Sequence, residues 1–204
     1  MSYVDTYLDQ AAKICVKLDR VQIGRIIDGL VAVRRNEGRL FILDVGGSAG
    51  SASHAVNDFR KLANIETYTP ADNVSELTAR TNDEGWPTVF AEWLKTSHIR
   101  KGDAVLVFSV GGGDKERDIS ANIVNALEVA KAAGAKIYGV VGRDGGYTAK
   151  VADACVLVPV MSPDTITPHT EAFAGVVWHL IVSDPRMLQQ SNKWESTAAG
   201  EAGK

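Results

Sequence analysis

The chain of 204 residues has an ordinary globular composition, with 45% hydrophobic residues, 23% charged residues and a net charge of −3. This length suffices for one α/β domain with a full core, and the lack of a basic surplus argues against nucleic acid as a partner. No apolar run approaches the roughly 18 residues of a membrane span, and the first residues lack the regions of a signal peptide.

The first 36 residues predict two helices. Apolar residues recur at helical spacing from Val4 to Leu18 and again from Val21 to Val33. Because this segment precedes the first predicted strand, it cannot be a crossover within a sheet, so it packs either on its own domain or on a second copy of the chain. We favour the second alternative and interpret residues 1–37 as a helical arm for oligomerisation.

The next segment combines a strand, a small turn and a helix. Residues 40–45 are an apolar run that predicts a buried strand, residues 46–48 form a Gly/Ser turn, and a helix opens at Ser51 or Ser53. A turn of this kind presents free backbone N–H groups to an anion, and the helix dipole adds to the attraction. The pattern indicates a phosphate site, although an ordinary βα turn is the alternative.

The rest of the chain alternates between strands and helices. Strands are predicted over 65–69, 104–109, 136–141 and 154–158, and helices over 73–79, 88–97, 121–133, 148–152 and 169–183. Asn73 and Ser120 are the predicted N-caps of the helices that they precede. Near-continuous apolar strands alternating with helices indicate a parallel sheet covered on both faces. The predicted fold class is therefore α/β, a three-layer α-β-α sandwich with a five-stranded parallel sheet over residues 38–188, followed by a flexible tail over 189–204.

Two loops are expected at the carboxyl ends of the strands, where ligands bind in such sheets. One is the turn at 46–48, and the other is the loop over 109–120. Lys115 and Arg117 in this loop are either a phosphate clamp or solvated charges on a mobile loop. No complete Gly-x-Gly-x-x-Gly follows the first strand, and Glu66 is only a loose candidate for a ribose carboxylate, so we expect no nucleotide cofactor.

The order of these motifs resembles the sugar isomerase (SIS) domain family and, within it, the phosphoheptose isomerases. The family loop Gly-Asn-Gly-Gly-Ser corresponds to residues 44–48, and a family histidine and glutamate correspond to His54 and Asp58. The other matches are the family's Asn-Asp-x-Gly turn on 82–85, its serine-rich phosphate loop on 109–120, its Gly-Lys-Asp-Gly-Gly turn on 142–146, and its last-helix pair of Gln and His on Glu171 and His179.

The chain departs from the family pattern at several of these positions. Val45 replaces an asparagine, while Val110 and Gly111 replace a threonine and a serine that would contact phosphate. Asp58 stands for Glu, Glu171 stands for Gln, and the phosphate loop is longer. We therefore expect the contacts to the phosphate to differ from those of the family.

The resemblance implies an aldose–ketose isomerase, most closely one that converts sedoheptulose 7-phosphate to D-glycero-D-manno-heptose 7-phosphate through an enediol. Asp58 would be the base and His179 its partner acid. The residues implied for substrate or phosphate binding are Gly46, Gly47, Ser48, Asn82, Asp83, Ser109, Gly111, Lys115, Arg117, Ser120 and Glu171. The alternative is a non-catalytic SIS protein that senses sugar phosphates or binds another protein, which has no need of the histidine and carboxylate set.

In some members of the family the matching residues hold a zinc ion, which here implies His54, Asp58, Glu171 and His179. His54 and Asp58 lie four apart on one helix face, which suits two ligands of one metal. Eight helical residues span about 12 Å and rotate roughly 80°, so Glu171 and His179 can share a metal only if the helix starts irregularly. His169 is a further candidate, and histidines satisfied in a helix–sheet interface are the alternative.

The family also suggests how the chain assembles and where it works. It packs such helical arms into a central bundle, which implies a homotetramer or a homodimer. Cys15 and Cys155 show no metal-type spacing and lie among apolar neighbours, so we expect reduced core cysteines in a cytoplasmic protein.

Overall fold

The computed structural model describes residues 2–193. The order of elements is α1 (Tyr3–Lys17), α2 (Arg20–Arg35), β1 (Leu40–Leu43), α3 (Gly47–Lys61), β2 (Thr67–Tyr68), α4 (Val74–Asp83), α5 (Val89–Thr96), β3 (Ala104–Ser109), α6 (Ala121–Ala132), β4 (Lys136–Val141), α7 (Gly146–Val151), β5 (Ala154–Leu157) and α8 (Ile166–Ser183). Three short 3-10 turns precede α4, α5 and α8. None of the helices in this described part is long and apolar enough to cross a membrane.

The five strands form one parallel sheet in the order β2-β1-β3-β4-β5. Side chains of β1 alternate between two cores, because successive strand residues point to opposite faces. Leu40 and Ile42 pack with residues of α2, α3 and α8, whereas Phe41 and Leu43 pack with residues of α5 and α6. The predicted α/β sandwich with a five-stranded parallel sheet is therefore confirmed.

The two N-terminal helices have different surroundings. The apolar side chains of α2 lie in the core of the domain. The backbone of α2 also lies close to β4, because a Cβ on Gly29 would be 1.9 Å from Tyr138 Oη. In α1 only Ile14 is buried, while large side chains are exposed at Tyr3, Val4, Leu8 and Val16. The first alternative, packing on the same domain, thus holds for α2, and a role of the arm in oligomerisation stays a prediction.

Three helix boundaries differ from those predicted by three or more residues. α3 begins at Gly47 rather than at Ser51 or Ser53, after Gly46 adopts a positive φ of 72°. Its first turn is rich in glycine and serine, which are weak helix formers. Burial of Ala52 and Ala55 in the following turns stabilises the helix all the same.

The other two corrections extend helices. α4 is capped by Asn73, as predicted, through a bond from the Glu76 N–H at 3.2 Å, but it continues to Asp83. α8 begins at Ile166 rather than at His169, because Pro168 is tolerated within the first helical turn.

The predicted flexible tail lies mostly outside the described residues, since 194–204 are not among them. Its first two residues are attached to the domain: the backbone N–H groups of Gln189 and Gln190 donate to the Leu62 carbonyl at 2.7 and 3.2 Å. Arg34 also donates to the carbonyl oxygen of Met187 at 2.6 Å. The segment after α8 is therefore held against α2 and the residue that follows α3.

Candidate active site

Helices α3 and α8 pack on the same face of the sheet and run in the same direction, so their side chains meet along one strip of surface. At its upper end the Ser48 hydroxyl donates to Glu171 Oε1 at 3.3 Å. Further along both helices Asp58 meets His179, with Asp58 Oδ2 and His179 Nε2 3.4 Å apart. We use the term groove for the surface from Ser48 and Glu171 to Asp58 and His179.

The lower end of the groove brings together a carboxylate and two imidazoles. Asp58 Oδ2 lies 3.5 Å from His54 Nε2 and 3.4 Å from His179 Nε2. The Asp58 side chain is only 9% exposed, whereas those of His54 and His179 are 55% and 51% exposed. The sequence predicted these three residues at one site, and the structure places their ligand atoms within 4.8 Å of one another.

Neighbouring groups orient this cluster. The Trp178 indole N–H donates to Asp58 Oδ2 at 3.2 Å, and the Asn57 amide donates to Asp58 Oδ1 at 3.0 Å. His179 Nδ1 lies 2.8 Å from the carbonyl oxygen of Gly175, and because a carbonyl only accepts, Nδ1 carries the proton. Trp178 was missed as a site residue, although its position beside His179 was a signal.

This arrangement favours a positive charge at the cluster. With Nδ1 protonated, a neutral His179 points the lone pair of Nε2 at the Asp58 carboxylate. Lone pair and carboxylate repel each other unless a proton on the ring or a cation between the atoms intervenes. The cluster can therefore hold either an imidazolium or a metal ion.

The distances fit a metal ion. Metal–ligand bonds of about 2.0–2.1 Å at a tetrahedral angle put ligand atoms about 3.3–3.4 Å apart. The two distances from Asp58, 3.4 and 3.5 Å, are close to this value, and all three ligand atoms lie within 4.8 Å of one another. Two imidazole nitrogens with one carboxylate oxygen also form a ligand set of catalytic zinc sites that leaves one position open. The residues present thus suit a divalent metal. Hydrogen bonds from the Trp178 indole to Asp58 and from His179 to the Gly175 carbonyl would orient two of its ligands.

Two candidate ligands lie elsewhere. Glu171 is outside the group of three, because α8 is regular from Ile166 and eight helical residues separate Glu171 from His179 by about 12 Å. His169 Nε2 lies 3.0 Å from Gln10 Oε1, and its ring stacks on Tyr7 at 4.3 Å. Burial lowers the pKa of His169. Its contacts with Gln10 and Tyr7 hold α1 against α8, and they do not include the cluster around Asp58.

The upper end of the groove carries two carboxyl groups where the sequence predicted a phosphate. Glu171 oxygens lie 3.5 and 3.6 Å from where a Cβ on Gly47 would sit. Asp44 directly follows β1 and is 3% exposed. Burial, with a smaller contribution from the charge of Glu171, raises the pKa of Asp44 to about 8. Asp44 was missed, although an acidic residue at the end of an apolar strand was a visible signal.

The predicted phosphate loop is folded by its own hydrogen bonds. Ser109 Oγ accepts from the Gly112 N–H at 3.0 Å. Ser120 precedes α6 in a left-handed conformation and makes no capping hydrogen bond through its side chain, so its predicted capping bond is absent. Gly111 lines a cleft beside this loop.

This cleft has a volume of about 490 Å³. Its lining carries four cationic side chains, two of which were not predicted, and three carboxylates: Lys115, Arg117, Arg143 and Lys150, with Asp114, Glu116 and Asp144. Lys115 Nζ lies 2.7 Å from Glu128 Oε1 and 5.8 Å above the Tyr147 ring, so this cation has defined partners. The Tyr147 hydroxyl also donates to Glu128, which raises the pKa of Tyr147 to about 12. Arg117 Nε lies 3.7 Å from Asp114 Oδ2.

The cleft adjoins the upper end of the groove. A Cβ on Gly142 would lie 2.3 Å from Thr170 Oγ1 and 2.9 Å from the carbonyl oxygen of Val110. The loops after β3 and β4 therefore pack directly against α8 beside Glu171. By contrast, Asn82 and Asp83 end α4, are exposed and bond to each other at 2.7 Å, so the described contacts do not link them to the groove.

Comparisons with known proteins identify the family and support the fold. The model of the SIS domain family matches residues 6–142. The phosphoheptose isomerase of Rhodospirillum rubrum is 31% identical over 74% of this chain and 78% of its own length. The lincomycin biosynthesis protein LmbN of Streptomyces lincolnensis is 34% identical over 67% of this chain, and the chain spans about half (51%) of LmbN.

Among solved structures, the phosphoheptose isomerase GmhA from Neisseria gonorrhoeae superposes with a TM-score of 0.77 over 88% of this chain and 95% of its own. The two sequences are 22% identical, so this likeness concerns the fold.

Proposed function

We propose that this chain, which belongs to the SIS domain family, is a phosphosugar isomerase whose reacting carbons bind at Asp58 and His179. The observation that carries the proposal is the convergence of the Asp58 carboxylate with two imidazole nitrogens at 3.4 and 3.5 Å in an open groove. The relatives named phosphoheptose isomerase, at about 30% identity, support the reaction class. A module that only binds a partner has no need of this cluster.

The specific reaction is the conversion of sedoheptulose 7-phosphate to D-glycero-D-manno-heptose 7-phosphate. The Asp58 carboxylate removes a proton from C1, and the His179 imidazolium donates its Nε2 proton to the carbonyl oxygen on C2, which gives an enediol. The proton on Asp58 then returns to C2, while His179 takes the proton from the oxygen on C1. Protons therefore balance, and the second imidazole proton of His179 stays on Nδ1, which donates it to the Gly175 carbonyl throughout.

A zinc ion is the metal that the cluster suits, held by His54, Asp58 and His179. When bound, it would polarise the substrate carbonyl as a Lewis acid. His179 Nε2 cannot carry a proton and hold a metal at once, because both use the same lone pair. The role of His179 as an acid therefore belongs to the metal-free site.

The phosphate group of the substrate binds in the cleft. Lys115 and Arg117 with Arg143 and Lys150 supply positive charge there, and Ser109, Gly111 and Ser120 lie on the same loop. The exposed apolar face of α1 supports self-association. The tetramer and the cytoplasmic location stay predictions.

The experiment is the exchange of the C1 and C2 protons of sedoheptulose 7-phosphate with deuterated water, followed by NMR with and without added zinc. We expect exchange in the wild type and its loss in Asp58→Asn, because an amide cannot accept the proton. Asp9→Asn, an exposed change on α1, is the control and should exchange normally.

Two outcomes oppose the proposal. Full exchange by folded Asp58→Asn removes this residue as the base. Binding without any exchange in the wild type favours the sensor or interaction-module alternative. Metal analysis of the purified protein tests zinc separately, with less zinc expected in Asp58→Asn than in the wild type.

A further inference from the structure

The loop after β3 carries a small flap, residues 114–119, whose hydrogen bonds are mostly internal. At its base the Asp114 N–H donates to the Ile119 carbonyl at 2.8 Å, and the Ile119 N–H donates back at 3.0 Å. The Asp114 carboxylate also accepts from two N–H groups of the flap, at 2.9 and 3.0 Å. Among the described contacts, one side-chain ion pair links the flap to the rest of the domain, and Lys115 makes it. Beyond its base, the flap is therefore held by Lys115.

The partner of Lys115 is a carboxylate on α6. Lys115 Nζ lies 2.7 Å from Glu128 Oε1, and the same oxygen accepts from the Tyr147 hydroxyl of α7. These hydrogen bonds, that of Lys115 first, lower the pKa of Glu128, so it is ionised at neutral pH. The pair is solvent-exposed, with 62% of the Lys115 side chain and 44% of the Glu128 side chain accessible, and exposed ion pairs are weak. A dianion nearby can therefore take Lys115 away from Glu128.

The opposite side of the cleft offers such a dianion a place to bind. Arg143 and Lys150 line the cleft and form no ion pair among the described residues. The Asp144 carboxylate beside them accepts from a backbone N–H of its own turn at 3.2 Å. Lys115 lines the same cleft, so a phosphate bound there competes with Glu128 for its ammonium group.

We propose that Glu128 is a positioning residue that sets the affinity of the cleft for phosphate. Without phosphate, Glu128 holds Lys115 and, through it, the flap. When phosphate binds, Lys115 leaves Glu128 for the phosphate and the flap closes on the ligand. This inference rests on the proposed function only in that a phosphate group binds in the cleft, and it does not require the same molecule to reach Asp58.

The test is calorimetric titration of inorganic phosphate into the wild type, Glu128→Gln, Lys115→Ala and the double variant. Glu128→Gln keeps an acceptor for the Tyr147 hydroxyl but removes the charge that competes for Lys115. We expect phosphate to bind this variant about two- to fivefold more tightly, as the loss of one exposed ion pair implies. In the Lys115→Ala background the same change should have little effect, because the competition is then absent.

Glu116→Gln is the matched control. Glu116 lines the cleft, is exposed and makes no side-chain contact with Lys115 among the described contacts. The control removes the same negative charge without touching the pair of Lys115 and Glu128. Its affinity for phosphate should stay within about twofold of the wild type, because exposed charges without a fixed partner are screened by salt.

Amide hydrogen exchange, followed by mass spectrometry, reports on the flap itself. Without phosphate, residues 114–119 should exchange faster in Glu128→Gln than in the wild type, because the bond that holds the flap is weakened. At saturating phosphate the two proteins should exchange equally slowly over this segment, since Lys115 then binds the ligand in both.

The other outcomes separate this inference from the isomerase. Weaker phosphate binding by Glu128→Gln overturns it, because Glu128 then supports the cation instead of competing with the ligand. Equal tightening in Glu116→Gln, or in the Lys115→Ala background, overturns it too, since net charge alone explains that result. A wild type that binds phosphate as expected but exchanges no protons of sedoheptulose 7-phosphate refutes the isomerase and leaves the role of Glu128 standing. A wild type that exchanges protons but binds no phosphate refutes the role of Glu128 alone.

Discussion

Trp178→Phe tests whether the cluster around Asp58 works as a unit. Trp178 is 4% exposed, its indole N–H donates to Asp58 Oδ2 at 3.2 Å, and its ring packs on Phe108 with centroids 5.5 Å apart. Phenylalanine keeps an aromatic ring in this place and removes the donor. A hydrogen bond to a charged group contributes about 1.5–3 kcal/mol, which corresponds to a rate factor of about 10–100. We expect kcat/KM for sedoheptulose 7-phosphate to fall by that factor.

The assay is turnover followed by NMR, with urea unfolding of each variant to establish that it is folded. Trp93→Phe is the matched control, because it makes the same change on the opposite face of the sheet, where Trp93 packs edge-on against Phe41 at 5.5 Å. This control should lose packing energy but keep its activity. If folded Trp178→Phe and Trp93→Phe turn over substrate equally fast, the indole does not position Asp58, and the reasoning from the cluster fails.

Two further predictions concern the charged groups above the cluster. Lys115→Ala combined with Arg117→Ala should raise KM for sedoheptulose 7-phosphate several-fold and change kcat less, since both cations line the cleft but are partly paired with Glu128 and Asp114; an unchanged KM in steady-state kinetics would leave them as solvated surface charges. Burial raises the pKa of Asp44 to about 8, above its unfolded value of about 3.9, so the folded state retains a proton that the unfolded state releases. The free energy of unfolding should therefore fall between about pH 5 and about pH 8, by at most about 1.4 kcal/mol per unit, relative to Asp44→Asn; parallel pH profiles from urea unfolding would contradict this.

The fold was predictable because its signals are local. The apolar run of β3 and the alternation of strands with helices predicted a parallel sheet, and the side chain of Asn73 predicted the start of α4 correctly. The spacing of His54 and Asp58 predicted one helix face, and the resemblance placed His179 beside them. The sheet, the start of α4 and the helix face depend on helix and strand periodicity and capping, which a single sequence displays, whereas the position of His179 came from the resemblance.

The unpredicted features depend on tertiary contacts. The start of α3 at Gly47 defies helix propensity, because packing of the small residues of this helix determines it. Glu171 separates from the histidines because α8 is regular from Ile166, which the sequence left open. The unpaired oxygen of Asp44 and the bond from Trp178 to Asp58 exist only once the helices pack.

Charge along the groove fixes the direction in which a substrate can lie. The lower end combines Asp58 with two imidazoles, the upper end has the carboxyl groups of Asp44 and Glu171, and the cleft beyond it is cationic. An open-chain phosphosugar carries its charged group at one end only. If the phosphate lay at the lower end, it would face the Asp58 carboxylate and lie far from the cations of the cleft. The opposite orientation pairs the phosphate with the cleft and brings the carbonyl end to Asp58, so the positions of the charges select the carbons that react.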